Sequence, residues 1–292
     1  MSIGSSEQSR VRQFIINLGL RGLIGLALLM PYRYRIPFMG WLSARVVGPM
    51  AGYDKRVRDN LNTVFPDLPK DEVEKIVREV LDNFGRTLIE IYSGEEFIRR
   101  ARNAPVTGPG LQDLERALEK GQPIILVGAH FGNYEAARAK LISLGCNMGA
   151  LYRPLRNVYF NEHYVRSMRV IGDKLFEQSR RGLKEMLSHL KSGGALAVLT
   201  DLHSVDGVPL DFFEKPARTT IKIAELAVKH EAVMVPFYGR RTDNGLDFEI
   251  ILSSAIPNRD PRLMMLSLTR DLEERIRHDM AQWFWVHRRW KI

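Results

Sequence analysis

Five short apolar segments recur through the second half of the chain, and this recurrence limits the folds open to it. The apolar segments are 123–127, 148–151, 195–199, 232–237 and 248–252. Helical patterns between them occupy 134–144, 158–170, 180–191 and 219–230. Short strands that are apolar on both faces are typical of parallel sheets covered by helices. The sequence therefore predicts an α/β fold with a largely parallel central sheet flanked by helices on both faces.

Helical patterns also precede and follow this alternating region. Residues 70–101 carry apolar side chains at three- and four-residue steps, which indicates an amphipathic helix. A short helix is predicted at 110–121, where a glycine closes it, and a last helix at roughly 262–282. With 292 residues the chain is long enough to bury a substantial core.

The beginning of the chain is both apolar and basic. Residues 14–30 form an apolar run of 17 residues that Arg21 interrupts. A spanning helix needs about 20 apolar residues, and a central arginine costs about 2.5 kcal/mol or more on insertion. No small-residue cleavage site follows the run, so we expect no removed signal peptide. Residues 1–50 hold a single acid, Glu7, and six arginines: Arg10, Arg12, Arg21, Arg33, Arg35 and Arg45.

These features predict that residues 1–52 form an uncleaved helical segment that associates with a membrane, and that residues 53–292 form the α/β domain. A helix lying in the membrane surface would let its arginines meet anionic lipid headgroups. A core helix of a soluble domain and a single membrane span are the alternatives.

Charge and cysteine content narrow the function classes. The formal net charge is +9, which indicates a polyanionic partner without naming it. Cys146 is the only cysteine, which excludes an intramolecular disulfide and a cysteine-rich zinc site. No histidine lies near it in sequence, so we interpret it as a small packed residue.

The stretch GAHFGNYEAARA, residues 128–139, places His130 and Glu135 directly after the apolar segment PIILV. Active sites of α/β folds gather at the carboxyl ends of strands. On one continuous helix, side chains five residues apart point about 140° away from each other, so the two can meet only if His130 precedes the helix. Glu135 would then fix the imidazole tautomer and leave His130 as a general base for a hydroxyl. A histidine that merely satisfies its bonds at a helix start is the alternative.

Other chemistries lack their motifs. There is no H-E-x-x-H and no second clustered pair of histidines, so we expect no metal site. There is also no G-x-S-x-G, the nucleophile motif of many serine hydrolases.

Several blocks, taken in order, carry a family resemblance. They are RVRDNLNTVFPDLP, NFGRTLIEIY, AHFGNYE, YRPLRN, LKSGGALAVLTD, GVPLDFFEKPARTT and QWFWVHRRWK. Together they resemble the bacterial lipid A late acyltransferases, the lauroyl and myristoyl acyltransferases of the lysophospholipid acyltransferase superfamily.

The resemblance implies an enzyme on the cytoplasmic face of the inner membrane. It would move a fatty acyl group from acyl-acyl carrier protein to a hydroxyl of a lipid A precursor, with His130 as general base and Glu135 as its orienting partner. No cofactor is implied, because acyl-acyl carrier protein or acyl-CoA serves as the donor substrate. The implied partners are acyl carrier protein, anionic membrane lipid and a phosphorylated glycolipid acceptor. No nucleic-acid motif is present.

Further candidate residues surround this motif. Arg153 follows a predicted strand and is our first choice for binding a substrate phosphate, with Arg166 and Arg169 on one face of the next helix as second choices. Exposed helical arginines are common, so solvent-facing roles stay open for the latter two. Asn133 is expected to bond either the turn or the substrate. Asp201 ends an apolar segment and either orders the site or caps a turn.

Two features leave alternatives open. The family usually has glycine where this chain has Glu214, so details of that loop and the identity of the substrate do not transfer. The closing segment 282–292 combines aromatic and basic side chains, which favours a membrane interface or core packing over a nucleic-acid platform.

An acyltransferase for another glycolipid or a lysophospholipid is the second functional hypothesis. A non-catalytic lipid- or nucleic-acid-binding protein is the third.

Overall fold

The computed structural model describes residues 3–291, with side chains from residue 10 onward. The helices are α1 Ile3–Leu28, α2 Tyr32–Leu42, a π-helix Ser43–Val47, α3 Gly48–Met50, α4 Tyr53–Val64, α5 Lys70–Ile91, α6 Gly94–Arg102, α7 Gly110–Glu119, α8 Tyr134–Ser143, α9 Val158–Ile171, α10 Arg180–Lys191, α11 Lys222–Lys229, α12 Pro261–His278 and a 3-10 turn Met280–Gln282. The strands are β1 Val106–Thr107, β2 Ile124–Gly132, β3 Met148–Tyr152, β4 Leu175–Glu177, β5 Ala195–Leu199, β6 Val208–Phe212, β7 Lys215–Thr219, β8 Val233–Arg241 and β9 Phe248–Leu252.

Within the described residues, seven strands form one sheet in the order β1-β9-β8-β2-β5-β3-β4. Every neighbouring pair in it is parallel except β8 with β9. Strand β2 lies in the middle, between β8 and β5. After β2 the chain continues to β3 on one side and returns later to β8 on the other, so β2 ends at the switch point where α/β proteins bind their ligands.

Both faces of the sheet are covered, and β2 shows how. Ile124 and Leu126 pack into one core cluster together with residues of α2, α5, α6 and α8. Ile125 and Val127, which point to the other face, pack with residues of α10, α11 and α12. This alternation explains why the strand has no polar residue in its first four positions.

The predicted α/β fold with a largely parallel sheet is therefore confirmed. The predicted helix at 70–101 is instead two helices, because Ser93 and Gly94 interrupt it and Gly94 has a left-handed φ of 54°. The short strands β1 and β4 and the antiparallel hairpin β6–β7 were not predicted. The two hairpin strands place polar residues on one face and buried residues on the other.

The N-terminal helices lie against the body of the protein. Helix α1 contributes Ile24 and Ala27 to the core. Asn157, which caps the start of α9, donates its Nδ2–H to the carbonyl of Gln13 in α1 at 2.7 Å. Arg35 is buried: its Nη2 donates to Glu96 at 2.6 Å and its Nη1 to the carbonyls of Leu28 and Met30. Arg35 therefore ties down the end of α1 and is not among the arginines free to meet lipid headgroups.

The closing aromatic segment is part of the core. Trp283 and Trp285 are 1% and 0% exposed and contact each other edge to face. Trp290 stacks on Phe212 and donates its indole N–H to the carbonyl of Phe212 at 3.1 Å. Of the alternatives stated for this segment, core packing is the one found.

Candidate functional site

His130 lies at the carboxyl end of β2, just before α8 begins. The pairing of β2 with β8 changes register between Gly128 and Gly132, which turns the histidine out of the regular strand pattern. Gly132 has a φ of 56°, and a Cβ there would come within 2.0 Å of the carbonyl oxygen of Gly239. Only glycine fits this close approach of the two strands, so the turn after His130 depends on it.

The ring of His130 is held by Asp201. Its Nδ1 lies 2.9 Å from Asp201 Oδ1, and its backbone N–H donates to Asp201 Oδ2 at 3.0 Å. The indole of Trp283 donates to the same Oδ2 at 2.9 Å. A carboxylate only accepts hydrogen bonds, so Nδ1 carries a proton and the neutral ring keeps its lone pair on Nε2.

Asp201 is a buried carboxylate whose charge is stabilised locally. Burial alone would raise its pKa, but the charge and hydrogen bonds of His130 and the bond from Trp283 hold the pKa of Asp201 below its usual value. Asp201 follows β5, the parallel neighbour of β2, so both side chains emerge at the same edge of the sheet. That adjacency is the signal from which the pairing could have been found. Of the roles expected for Asp201, which are substrate binding, ordering the site and capping a turn, the structure shows the second, because Asp201 contacts His130 and orders the site there.

Glu135 does not contact the histidine, and the expectation that it orients His130 is wrong in this structure. Its Oε2 accepts a hydrogen bond from Arg138 Nε at 2.7 Å, and both side chains are at most 3% exposed. Arg138 also donates to the carbonyls of Met168 and Gly172 at the end of α9. Glu135 rides on the first turn of α8, as expected, but faces α9. Arg138, three residues further along the same helix, lies on the same face as Glu135 and binds its carboxylate, whereas the ring of His130 lies outside the helix.

Asn133 is fully buried and caps α8. Its Oδ1 accepts from the backbone N–H groups of Glu135 and Ala136, and its Nδ2 donates to Glu90 Oε2 at 2.7 Å. Glu90 in turn binds Arg241 through two bonds of 2.5 and 2.6 Å. Of its two expected roles, Asn133 therefore bonds the turn, and its polar atoms are not free for a substrate.

A cavity of about 500 Å³ opens beside His130. Its size is in the range of ligand sites. The walls come from α4, α5 and α9 and from the closing segment, and most are apolar. Lining residues include Val80, Phe84, Leu88, Ile91, Phe160 and Phe284. The side chain of His130 is 25% exposed and forms part of this wall.

Three of the polar side chains in the wall are already bonded. Asn83 donates to the carbonyl of Ala281 at 3.1 Å, and Thr87 to the carbonyl of Gly132 at 3.3 Å. Gln282 bonds both backbone groups of Arg241. His130 is the one imidazole among the described lining residues, and none of them carries a carboxylate or an amine, so His130 is the side chain suited to general-base chemistry with a bound molecule.

The three candidate arginines lie outside this wall. Arg153, Arg166 and Arg169 are exposed, and none of them contacts His130 or Asp201 in the described part of the chain. Arg153 is two residues from Leu155, and Arg166 is two residues from Tyr164, which both line the cavity. Arg153 and Arg166 are therefore sequence neighbours of lining residues, but none of the three arginines lines the cavity.

Two further histidines lie close to the pair. His203 donates its backbone N–H to Nε2 of His287 at 2.7 Å. Burial lowers the pKa of His287 to about 4, so it stays neutral near pH 7.

Between residues 3 and 291 no three histidine, cysteine or acidic side chains cluster in a way that could hold a metal ion. Cys146 is buried, and burial raises the pKa of its thiol to about 11, in keeping with a packed and unreactive side chain.

Comparison with known proteins adds independent findings. A family model described as bacterial lipid A biosynthesis acyltransferase matches residues 1–292. A lipid A biosynthesis acyltransferase of Haemophilus influenzae is 24% identical, covering 92% of this chain and 85% of its own length. A lipid A biosynthesis lauroyltransferase of Escherichia coli is 27% identical, with 96% and 92% covered. A phosphatidylinositol mannoside acyltransferase of Mycobacterium tuberculosis is 20% identical, with 86% of each chain covered.

Proposed function

Because the chain belongs to the bacterial lipid A biosynthesis acyltransferase family, we propose that it transfers a fatty acyl group from acyl-acyl carrier protein to a hydroxyl of a lipid A precursor. The observation that carries this proposal is the His130–Asp201 pair at the wall of a large apolar cavity. Membership of the family establishes acyl transfer in lipid A biosynthesis. The donor, the acceptor and the residue roles that follow are the proposal.

In the proposed mechanism Nε2 of His130 removes the proton of the acceptor hydroxyl. The oxygen then attacks the thioester carbonyl, a C–O bond forms, the C–S bond breaks, and the thiol of the carrier's prosthetic arm leaves with the proton that His130 held. Asp201 fixes the ring and stabilises the imidazolium that exists between these steps. No covalent enzyme intermediate is required.

The cavity supports a lipid substrate because its wall offers apolar contact with few free polar groups. Each buried methylene of an acyl chain gains about 0.8 kcal/mol on leaving water. The acyl chain would lie between α5 and α9, with its thioester carbonyl at His130. Arg153, Arg166 and Arg169 remain proposed contacts for acceptor phosphates at the rim.

An apolar surface on the N-terminal helices supports membrane association of residues 1–52. Residues Arg10–Leu28 are long and apolar enough to cross a membrane by length and composition, and only 17% of this stretch is buried. The exposed large apolar side chains here include Phe14, Ile15, Leu18, Leu26, Leu29, Trp41 and Met50.

We propose that α1 lies in the membrane surface on the cytoplasmic face of the inner membrane. Its attachment to the body at Gln13 and through Arg35 favours this arrangement over a span that leaves the body. Arg10, Arg12, Arg21 and Arg33 are then available for anionic headgroups. The net charge of +9 also favours docking of an acidic carrier protein through long-range attraction.

A transfer assay with purified protein in detergent tests the function. Acyl-carrier proteins of several chain lengths are offered with a phosphorylated lipid A precursor, a lysophospholipid or a phosphatidylinositol mannoside, and products are weighed by mass spectrometry. We expect acyl transfer to the lipid A precursor. Transfer to the mannoside alone would favour the second candidate acceptor, which one relative's name suggests. No transfer to any acceptor would contradict the proposal.

His130→Ala provides the residue-level test. We expect transfer to fall by at least about a hundredfold, the scale of a lost general base, with an unchanged melting temperature. The matched control is His278→Ala, because His278 is exposed and lies at the end of α12. Equal activity of the His130 variant and the control would remove His130 from the mechanism and leave a lipid-binding role.

A further inference from the structure

Arg289 is a buried cation that has no carboxylate partner in the part of the chain the structure describes. It is 2% exposed and is among the largest fully buried side chains. Its Nη1 donates to the carbonyl of Arg218 at 2.8 Å and its Nη2 to the hydroxyl of Thr219 at 2.5 Å. Its Nε has no hydrogen-bond partner. Buried charges are normally paired, so this arrangement needs an explanation.

A small cavity between Arg289 and Asp201 offers an explanation. A space of about 10 Å³ is lined by Arg289 and Asp201 together, and Thr200, Thr219 and Thr269 also border it. This volume is about the minimum that a single water molecule needs, and Asp201 and Arg289 are themselves only 5% and 2% exposed, so little solvent separates the two charges. Burial lowers the pKa of Arg289 to about 10, and the charge of Asp201 opposes this shift by stabilising the charged guanidinium. Charges separated by protein rather than water interact strongly.

We propose that Arg289 is a positioning residue of the transfer reaction: its buried charge balances the charge of Asp201 and thereby limits how basic His130 becomes. Asp201 has its oxygens directed to His130 and Trp283, so Arg289 acts on the carboxylate through space and not by competing for it. Without the guanidinium, the unbalanced carboxylate would stabilise the imidazolium. A larger share of His130 would then be protonated near neutral pH and unable to accept a proton.

Other titratable groups near His130 and Asp201 also bear on the protonation of His130. The titratable and charged groups from the elements packed around it are Asp201, His203, Tyr134, Tyr164, Tyr238, His287 and Arg289. His287 stays neutral above about pH 5, since burial lowers its pKa to about 4. Burial raises the pKa of Tyr134, Tyr164 and Tyr238, so these phenols are neutral as well. Arg289 is then the fixed cation of the group.

The test follows the titration of His130 by NMR in full-length protein in detergent, with the signal assigned by its loss in His130→Gln. Arg289→Gln and Arg289→Met remove the charge, and Arg289→Lys keeps it. Arg288→Met is the control, because Arg288 is adjacent and exposed. We expect the His130 pKa to rise by on the order of one unit in both neutral variants and to stay near wild type in the lysine variant and the control.

In the transfer assay the acid limb of kcat/KM should move to higher pH by the same amount. Arg289 also holds the β7 segment through Arg218 and Thr219, so a purely structural role would lower the melting temperature of all three Arg289 variants without moving the titration. That result would overturn the proposal. If one neutral variant does not fold, the other carries the measurement. The activity readout rests on the proposed function, whereas the NMR titration does not, so failure of the one is distinguishable from failure of the other.

Discussion

Two buried carboxylates flank the start of α8, and they differ in what they hold. Asp201 is 5% exposed and bonds the imidazole of His130, whereas Glu135 is 2% exposed and bonds the guanidinium of Arg138. Glu135 is five residues from the histidine in sequence and Asp201 is 71 residues away. The comparison teaches that strand adjacency in a parallel sheet brings two side chains together more effectively than closeness in sequence does.

The difference also separates two tasks. Asp201 holds the His130 ring, which faces the cavity. Glu135 binds Arg138, and Arg138 holds the end of α9 by donating to the carbonyls of Met168 and Gly172. Helix α9 supplies Phe160 and Tyr164 to the cavity wall. One carboxylate is therefore expected to govern proton transfer, and the other the shape of the lipid site.

Replacing Asp201 is expected to give the largest effect on the rate. Asp201→Asn keeps the size of the side chain but removes the charge that fixes the ring and stabilises imidazolium. We expect kcat to fall by about 10²- to 10⁴-fold, within the range typical of general-base catalysis. Single-turnover transfer at saturating acceptor measures it. A loss smaller than that of Glu135→Gln, per folded molecule, would reverse the assignment of the two carboxylates.

Replacing Glu135 should act on stability first. Glu135→Gln leaves the buried guanidinium of Arg138 without its anion, and removing one partner of a buried ion pair costs about 3–5 kcal/mol. Denaturant unfolding in detergent measures this change. The matched control is Glu185→Gln, which breaks the exposed pair Arg181–Glu185, also on one helix, and should leave the free energy of unfolding nearly unchanged. Equal costs for the two variants would show that the burial of the Glu135 pair has no energetic consequence.

His287, which lies near Asp201 and His130, is expected to make the stability of the folded protein depend on pH. Its pKa is lowered to about 4 in the folded protein, so the unfolded chain binds a proton first as the pH falls. Its contribution to stability is complete above the unfolded value of about 6.5 and is lost as the pH falls from there to about 4.

We expect His287→Gln to flatten the dependence of the melting temperature on pH between about 6.5 and 4, because a glutamine does not titrate. Thermal unfolding across this pH range measures the slope. His278→Ala is again the exposed control and should leave the slope unchanged. The same steep slope in the His287 variant would mean that another group titrates there.

The smallest effect is expected at the β6–β7 turn, away from both carboxylates. Phe213 and Glu214 have φ values of 53° and 58°, which L side chains rarely adopt. Phe213 is held there by burial and by its N–H donating to Glu273 at 2.6 Å, whereas Glu214 is exposed. Glu214→Gly should raise the free energy of unfolding by about 1 kcal/mol, since glycine removes the left-handed strain. Denaturant unfolding measures it, and a decrease would show that the strain is relieved elsewhere.

Local patterns determined a large part of the fold. The strand β2, helices α8, α9 and α10 and the position of His130 at the carboxyl end of a buried strand all follow from apolar runs and three- to four-residue periodicity. The hairpin β6–β7 did not follow, because its turn uses Phe213 and Glu214 where glycine or asparagine would normally signal the bend. The apolar start of α1 was evident, but the fate of Arg35 was not, since its partner Glu96 is on a different helix.

By itself the sequence determined most of the helices and longer strands, and the presence of a histidine at the carboxyl end of a buried strand, because these depend on contacts between near neighbours in the chain. Only the tertiary structure decided which acid holds that histidine, that Asn133 caps a helix rather than meeting a substrate, and that Arg289 and Asp201 line the same small cavity. Those pairings join residues from separate strands and from the closing segment. Their geometry is set by how the sheet is ordered and packed, which no local pattern encodes.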